Sequence, residues 1–133
     1  MPLDRSLPAL TLQQPWVELI LRGEKTLEVR SLGTRRRGRV LLYASRRVSR
    51  HPAAERALSA MGGFVPVTGM VVGSVEILGS RLARAGDAKR ASVDREHLDG
   101  QYVWELARPE RWPEPVAADR VPYGVWFYPW GRA

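Results

Sequence analysis

Apolar positions recur with two periods along this chain, and the switches between them mark its elements. Leu7 to Leu12 reads as a short strand. Gln14-Pro15 then opens a helix, with proline at or near the first position, where its missing N–H costs nothing. Trp16, Leu19 and Ile20 fall at helical spacing, Glu18 and Arg22 stand one turn apart as a favourable ion pair, and Gly23 fits the left-handed stop. Thr26 to Arg30 reads as a second strand. Arg39 to Ala44 is almost continuously apolar, which predicts a buried strand. Ala54, Ala57, Leu58 and Met61 repeat with the helical period and predict a helix from about Pro52 to Met61, ended by Gly62-Gly63. Gly69 to Leu78 is a long strand, and Gly73 inside it signals a bend or bulge. Ser80 to Gly100 is polar and of mixed sign, a loop with room for a short helix. Gln101 to Ala107 alternates, with Tyr102, Trp104 and Leu106 on one face. Arg108 to Pro115 is punctuated by proline, and Val125 to Tyr128 is a last apolar strand.

Five or six strands with two short helices predict a mainly β, α+β fold: a small curled sheet or barrel with helices flanking it. No repeat or linker divides residues 1–133, so a single domain is expected, and its length is enough to bury a core. No apolar run approaches the roughly 20 residues that a helix needs to span a bilayer. Met1 to Leu12 has no basic stretch followed by a long apolar one, so no membrane is expected and the cytoplasm is the default location. The absence of cysteine excludes disulfides, thiolate zinc sites and cysteine nucleophiles. With His51 and His97 the only histidines, and no glycine-rich phosphate loop, neither a metal nor a cofactor is expected.

Charge changes the picture most. The whole net charge of +7 falls within residues 1–50. No acid lies between Glu28 and Glu55, whereas Arg30, Arg35, Arg36, Arg37, Arg39, Arg46, Arg47 and Arg50 all do. Arginine usage alone does not explain an excess confined to one part of the chain. A polyanion partner, RNA or DNA, does. Arg35 to Arg37 read as a phosphate clamp on a loop, extended by Arg46, Arg47 and Arg50 beyond the next strand.

Lys25, Glu28 and Arg30 gather an ammonium, a carboxylate and a guanidinium just past a helix stop. Lys25 is one of two lysines in a chain that otherwise uses arginine, and lysine alone of the two can lose its proton when buried. Strand alternation puts Thr26, Glu28 and Arg30 on one face and Lys25 on the other, so Lys25 joins Glu28 only if it sits in the turn or a bulge intervenes. Such a cleft would let Glu28 accept hydrogen bonds from a nucleobase while Lys25 and Arg30 hold a phosphate or carbonyl. Gln14, Trp16, Thr26, Glu76 and Tyr123 are the other candidates for its lining. Each has a plainer reading. Trp16 and Tyr123 are core aromatics, Glu76 marks a strand emerging into water, and Glu28 with Arg30 is a structural ion pair.

Gln-Gln-Pro-Trp at 13–16, Gly-x-Lys-Thr-x-Glu-x-Arg at 23–30, and Arg37-Gly38-Arg39-Val40 leading into the strand that ends at Ala44 together resemble the ASCH domain family, named for homology to activating signal cointegrator 1. The strands Gly69 to Glu76 and Tyr102 to Leu106 are similar to it as well. The resemblance extends from about Leu7 to Trp130. It implies a PUA-like β-barrel and a role in RNA or nucleic-acid biology. Relatives include a nucleic-acid-binding domain of a coactivator, ribonuclease-like proteins, and amidohydrolases acting on acetylated cytidine. In those amidohydrolases a lysine, a threonine three residues later and a distant glutamate carry the chemistry. Lys25 matches the lysine, and Glu28 stands where the threonine would be. The distant acid falls in a loop where Asp87, Asp94 and Glu96 are all open.

The expectation is therefore an RNA- or single-stranded-DNA-binding domain with a polar nucleotide cleft. The alternative is a hydrolase of RNA or of a modified nucleoside, with Lys25 and Glu28 as its catalytic groups. A module that binds an acidic protein partner shares the same basic patch. Oligomeric state is not legible in the sequence.

Overall fold

The computed structural model describes residues 4–132. The strands are β1 (Ala9–Leu12), β2 (Leu27–Arg30), β3 (Gly38–Ala44), β4 (Met70–Leu82), β5 (Tyr102–Ala117) and β6 (Trp126–Phe127). The helices are α1 (Trp16–Leu21), α2 (Pro52–Ala60) and α3 (Ala88–Ala91), with 3-10 turns at Ala85–Asp87 and Arg95–Leu98. All six strands form one sheet in the order β2-β5-β4-β3-β1-β6. β1 and β3 run parallel, and every other pair is antiparallel.

The predicted mainly β fold with short helices is what forms, with three helices rather than two. The sheet curls but its ladder stays open, because β2 and β6 are its edges. Side chains bridge the gap. Arg30 on β2 donates from Nη2 to the Thr11 carbonyl on β1 at 2.9 Å. Trp104 on β5 stacks on Trp126 of β6, with ring centroids 5.9 Å apart and planes 7° from parallel.

Two apolar clusters sandwich the middle of the sheet. Leu10, Leu12, Val40, Leu42 and Val75 face Val17 and Ile20 of α1 inside the curl. Their neighbours Ala9, Leu41 and Tyr43 face outward and are covered by Trp112 and Phe127. Burial on both faces explains why β3 reads as a continuous apolar run rather than an alternating one.

The proline-rich stretch Arg108 to Pro115 belongs to β5, contrary to its sequence pattern. The β4–β5 register slips between Val71 and Gly73, between Ser74 and Glu76, and between Ile77 and Gly79. Pro109, Pro113 and Pro115 lie among the β5 residues that these slips leave out of the paired register. Proline is tolerated there because no ladder N–H is required. Ser80 to Gly100 is also more ordered than its composition predicts, since β4 continues to Leu82 and helical turns follow.

Asp87 anchors this segment. Its carboxylate receives two bonds from Arg81, at 2.8 and 2.9 Å, and one from the Arg84 backbone N–H at 2.7 Å. The Arg81 guanidinium, opposed by burial and helped by Arg84, holds the carboxyl at about 2, below its ordinary 3.8. A depressed carboxylate contributes stability above its unfolded pKa and loses it as pH falls through the folded one. Asp87→Asn should therefore cost about 1–2 kcal/mol at neutral pH and flatten the stability loss between about pH 4 and pH 2. Urea unfolding across that range checks both.

Candidate functional site

The site starts at the end of α1. Gly23, at φ 79°, closes the helix in the left-handed conformation. The backbone N–H groups of Glu24 and Lys25 then both donate to the Leu19 carbonyl, at 3.0 and 3.1 Å. The chain wraps around the helix end before β2 begins at Leu27, so Lys25 escapes strand alternation. Its side chain lies 2% exposed. The ammonium donates to the Ala91 carbonyl, sits 3.8 Å from Glu28 Oε1, and rests 4.9 Å from the centre of the Trp16 ring. Burial pushes its pKa down, Glu28 opposes this, and Arg30 adds to it; the net direction is downward.

Glu28 is buried on β2, and its second oxygen accepts from Arg30 Nε at 2.8 Å. Arg30 is thus committed to Glu28, to the Thr11 carbonyl and to the face of Trp104, 5.6 Å from the ring centre. These contacts give it a structural role at the sheet seam.

Lys25, Glu28 and Trp16 line a pocket of about 250 Å³. Ser49, His51 and His97 line it as well. The two imidazoles stand 4.4 Å apart. His51 is the helix-entry residue its position before Pro52 suggested, since its Nδ1 accepts the Ala53 N–H at 3.1 Å. That bond leaves Nε2 to carry the proton of the neutral ring. His97 comes from the segment that reads as a loop. Burial lowers its pKa, His51 and Lys25 add to the effect, and Asp94 opposes it. Gln13 completes the rim.

Gln13 and Ser49 also belong to a larger groove of about 840 Å³, lined by Arg47, Arg50 and Glu55. The small pocket and the basic groove therefore adjoin, with Gln13 and Ser49 lining both. Arg46 lies along Gly69 instead of in the groove, since a Cβ at that glycine would meet its Cγ at 3.4 Å. Arg35, Arg36 and Arg37 are exposed on the loop before β3.

Four other candidates fall elsewhere. Gln14 is buried and spends both ends of its amide, on the Val67 carbonyl at 3.0 Å and the Glu18 N–H at 3.0 Å. It shapes the turn into α1. Thr26 Oγ1 accepts from Arg90 at 3.1 Å and lies outside this pocket. Glu76 pairs with Arg108 at 2.7 Å, and Tyr123 is 92% exposed, away from the pocket. None of Asp87, Asp94 and Glu96 lines the pocket, so the acid beside Lys25 is Glu28. Among the described residues, no group of three or more His, Asp or Glu could hold a metal ion, and no helix is long and apolar enough to cross a membrane. Sequence patterns alone do not bring Gln13, Ser49, His51, Val93 and His97 to the cleft, because they come from three connections far apart in the chain.

A curled, open six-stranded mixed sheet with short helices is the PUA-like fold. The chain belongs to the ASCH domain family, whose model matches residues 10–113. The ASCH protein of Zymomonas mobilis is similar in structure, with TM-score 0.58 and 14% identity over 94% of this chain and 88% of that one. A tyrosine-to-phenylalanine variant of the same protein gives TM-score 0.59 and 11% identity over 92% and 89% of the two chains. A serine-to-alanine variant gives 0.55 and 14% over 94% and 89%. At such identities the likeness is one of fold. No curated protein matches the chain.

Proposed function

We propose that this ASCH domain binds single-stranded nucleic acid, RNA foremost, with one nucleobase in the small pocket and the adjoining phosphates in the arginine groove. The adjacency of the two cavities, which share Gln13 and Ser49 in their lining, carries this reading. Glu28 Oε1 is an acceptor for a base amine or imine, Trp16 and the imidazoles supply ring faces, and Arg47 and Arg50 face the groove where phosphates would run. The family, generally RNA-binding, and the net charge of +7 concentrated before residue 51 agree with it.

Fluorescence anisotropy with labelled single-stranded RNA tests the reading. Affinity should fall steeply with salt. Arg47→Ala with Arg50→Ala should weaken binding at least about tenfold and reduce the log–log salt slope by about 1–2. Absence of binding at low salt, or binding indifferent to salt, would falsify it.

A second reading draws on the Lys25–Glu28 contact. A carboxylate beside an ammonium destabilised by burial suits a hydrolase of RNA or of acetylated cytidine. Glu28 would take the proton of an attacking water, and Lys25 would stabilise the developing negative charge. Product formation without added metal, lost in Glu28→Gln, would support it; no product above a buffer control removes it.

A further inference from the structure

The open seam of the sheet is lined by a row of guanidinium and aromatic groups that the pocket does not use. Arg36 lies 5.2 Å over the Trp126 ring, Trp126 stacks on Trp104, and Trp104 carries Arg30 on its face. Arg30 in turn holds Glu28, so the row leads from the exposed loop before β3 to the pocket wall. Near its outer end, Arg132 covers Tyr128 at 4.7 Å and donates to its hydroxyl at 3.3 Å. Arg132 and, more weakly, Arg36 hold that phenol below its usual range.

The loop presenting Arg36 is braced. Thr34 Oγ1 accepts the Arg36 N–H at 3.1 Å, and Arg37 Nη1 ties back to the Thr34 and Arg36 carbonyls at 2.9 Å. Among the described residues, Arg35, Arg36, Arg37 and Arg132 form no ion pair with any carboxylate. Guanidiniums that are held over aromatic rings and lack counter-charges are pre-oriented for an anion that also brings flat rings. Phosphates linked by nucleobases meet that description.

We infer that the seam is a second contact for the same strand, with Arg36 and Arg132 on its phosphates. This rests on the nucleic-acid reading and deepens it. A dinucleotide fills the pocket and groove alone, whereas a longer strand reaches the seam as well.

The test compares a labelled dinucleotide with a single-stranded RNA of about ten nucleotides, a length within the range of small single-strand-binding sites. Arg36→Ala with Arg132→Ala should weaken the longer RNA about tenfold and lower its salt slope by about 1–2, leaving the dinucleotide within about twofold of wild type. If the longer RNA is unaffected by this change yet lost with Arg47→Ala and Arg50→Ala, the seam proposal is overturned and the pocket reading survives. If the longer RNA depends on the seam while the dinucleotide never binds, the seam stands and the pocket reading fails. If neither RNA binds wild type at low salt, both are overturned.

Discussion

Glu28→Ala is expected to destabilise the domain by about 3–5 kcal/mol and to abolish ligand binding in the pocket. The carboxylate stands between two cations, Arg30 at 2.8 Å and Lys25 at 3.8 Å. Arg30 is partly exposed and can recover some hydration. Lys25 cannot, because it is 2% exposed and fixed against the Ala91 carbonyl and the Trp16 ring. Without Glu28, the one charge favouring its protonated form is gone, while burial and Arg30 still push its pKa down. The unfolded chain then binds the Lys25 proton more tightly than the folded one. Stability of the variant must rise with pH as Lys25 deprotonates, the penalty fading as pH approaches the ordinary 10.5. Denaturant unfolding at neutral and alkaline pH measures this slope, which the wild type should show less strongly. Lys25→Met introduced together with Glu28→Leu should recover much of the loss, since an apolar pair avoids both desolvation costs. A Glu28→Ala protein as stable as wild type would mean that the pair is not buried in solution.

Gly73→Ala should cost about 2–4 kcal/mol, a large effect for one methyl group. Gly73 lies beside the first register slip of the long β4–β5 pair, opposite Arg111. A Cβ there would come within 2.2 Å of the Glu110 carbonyl oxygen and 3.0 Å of Leu21 Cδ2. The first neighbour is backbone in a paired strand and cannot turn aside. Gly79 is the internal comparison. Its Cβ would meet Glu105 Oε1 at 2.9 Å, the free end of a side chain that can swing away. Gly79→Ala should therefore cost under about 1 kcal/mol. The difference between the two midpoints in urea is the measurement, and equal midpoints would show that β5 relaxes at Glu110.

Gly73 also shows how far the sequence could be read. A glycine inside an apolar strand announces a bend, and the bend is there. The partner that forbids a side chain is Glu110, in a stretch that the sequence shows only as punctuated by proline. Proline forbids a ladder bond at its own residue only, and the register slips supply positions where none is needed. Similarly, Ser80 to Gly100 has no apolar periodicity because its turns are short. Their order comes from Arg81 and Asp87, and that pairing has no signature in local sequence.

Local chemistry set most of the elements and the opening of the site. Pro15, Gly23 and the apolar repeat between them made α1; the double-faced burial of β3 was written as an unbroken apolar run; and the arginine excess before residue 51 was plain in the sequence. The motif from Gly23 to Arg30 placed Lys25 and Glu28 within reach of one another. Only the tertiary structure decided what surrounds them. Strand alternation put them on opposite faces, and two backbone bonds to Leu19 brought Lys25 round to Glu28. Gln13, the Ser49–His51 pair and His97 come from three connections far apart in the sequence. Arg30 spans the seam, from Glu28 to the Thr11 carbonyl and the Trp104 ring. A side chain's partners follow from how the sheet curls, and curling is set by long-range packing that local patterns do not encode.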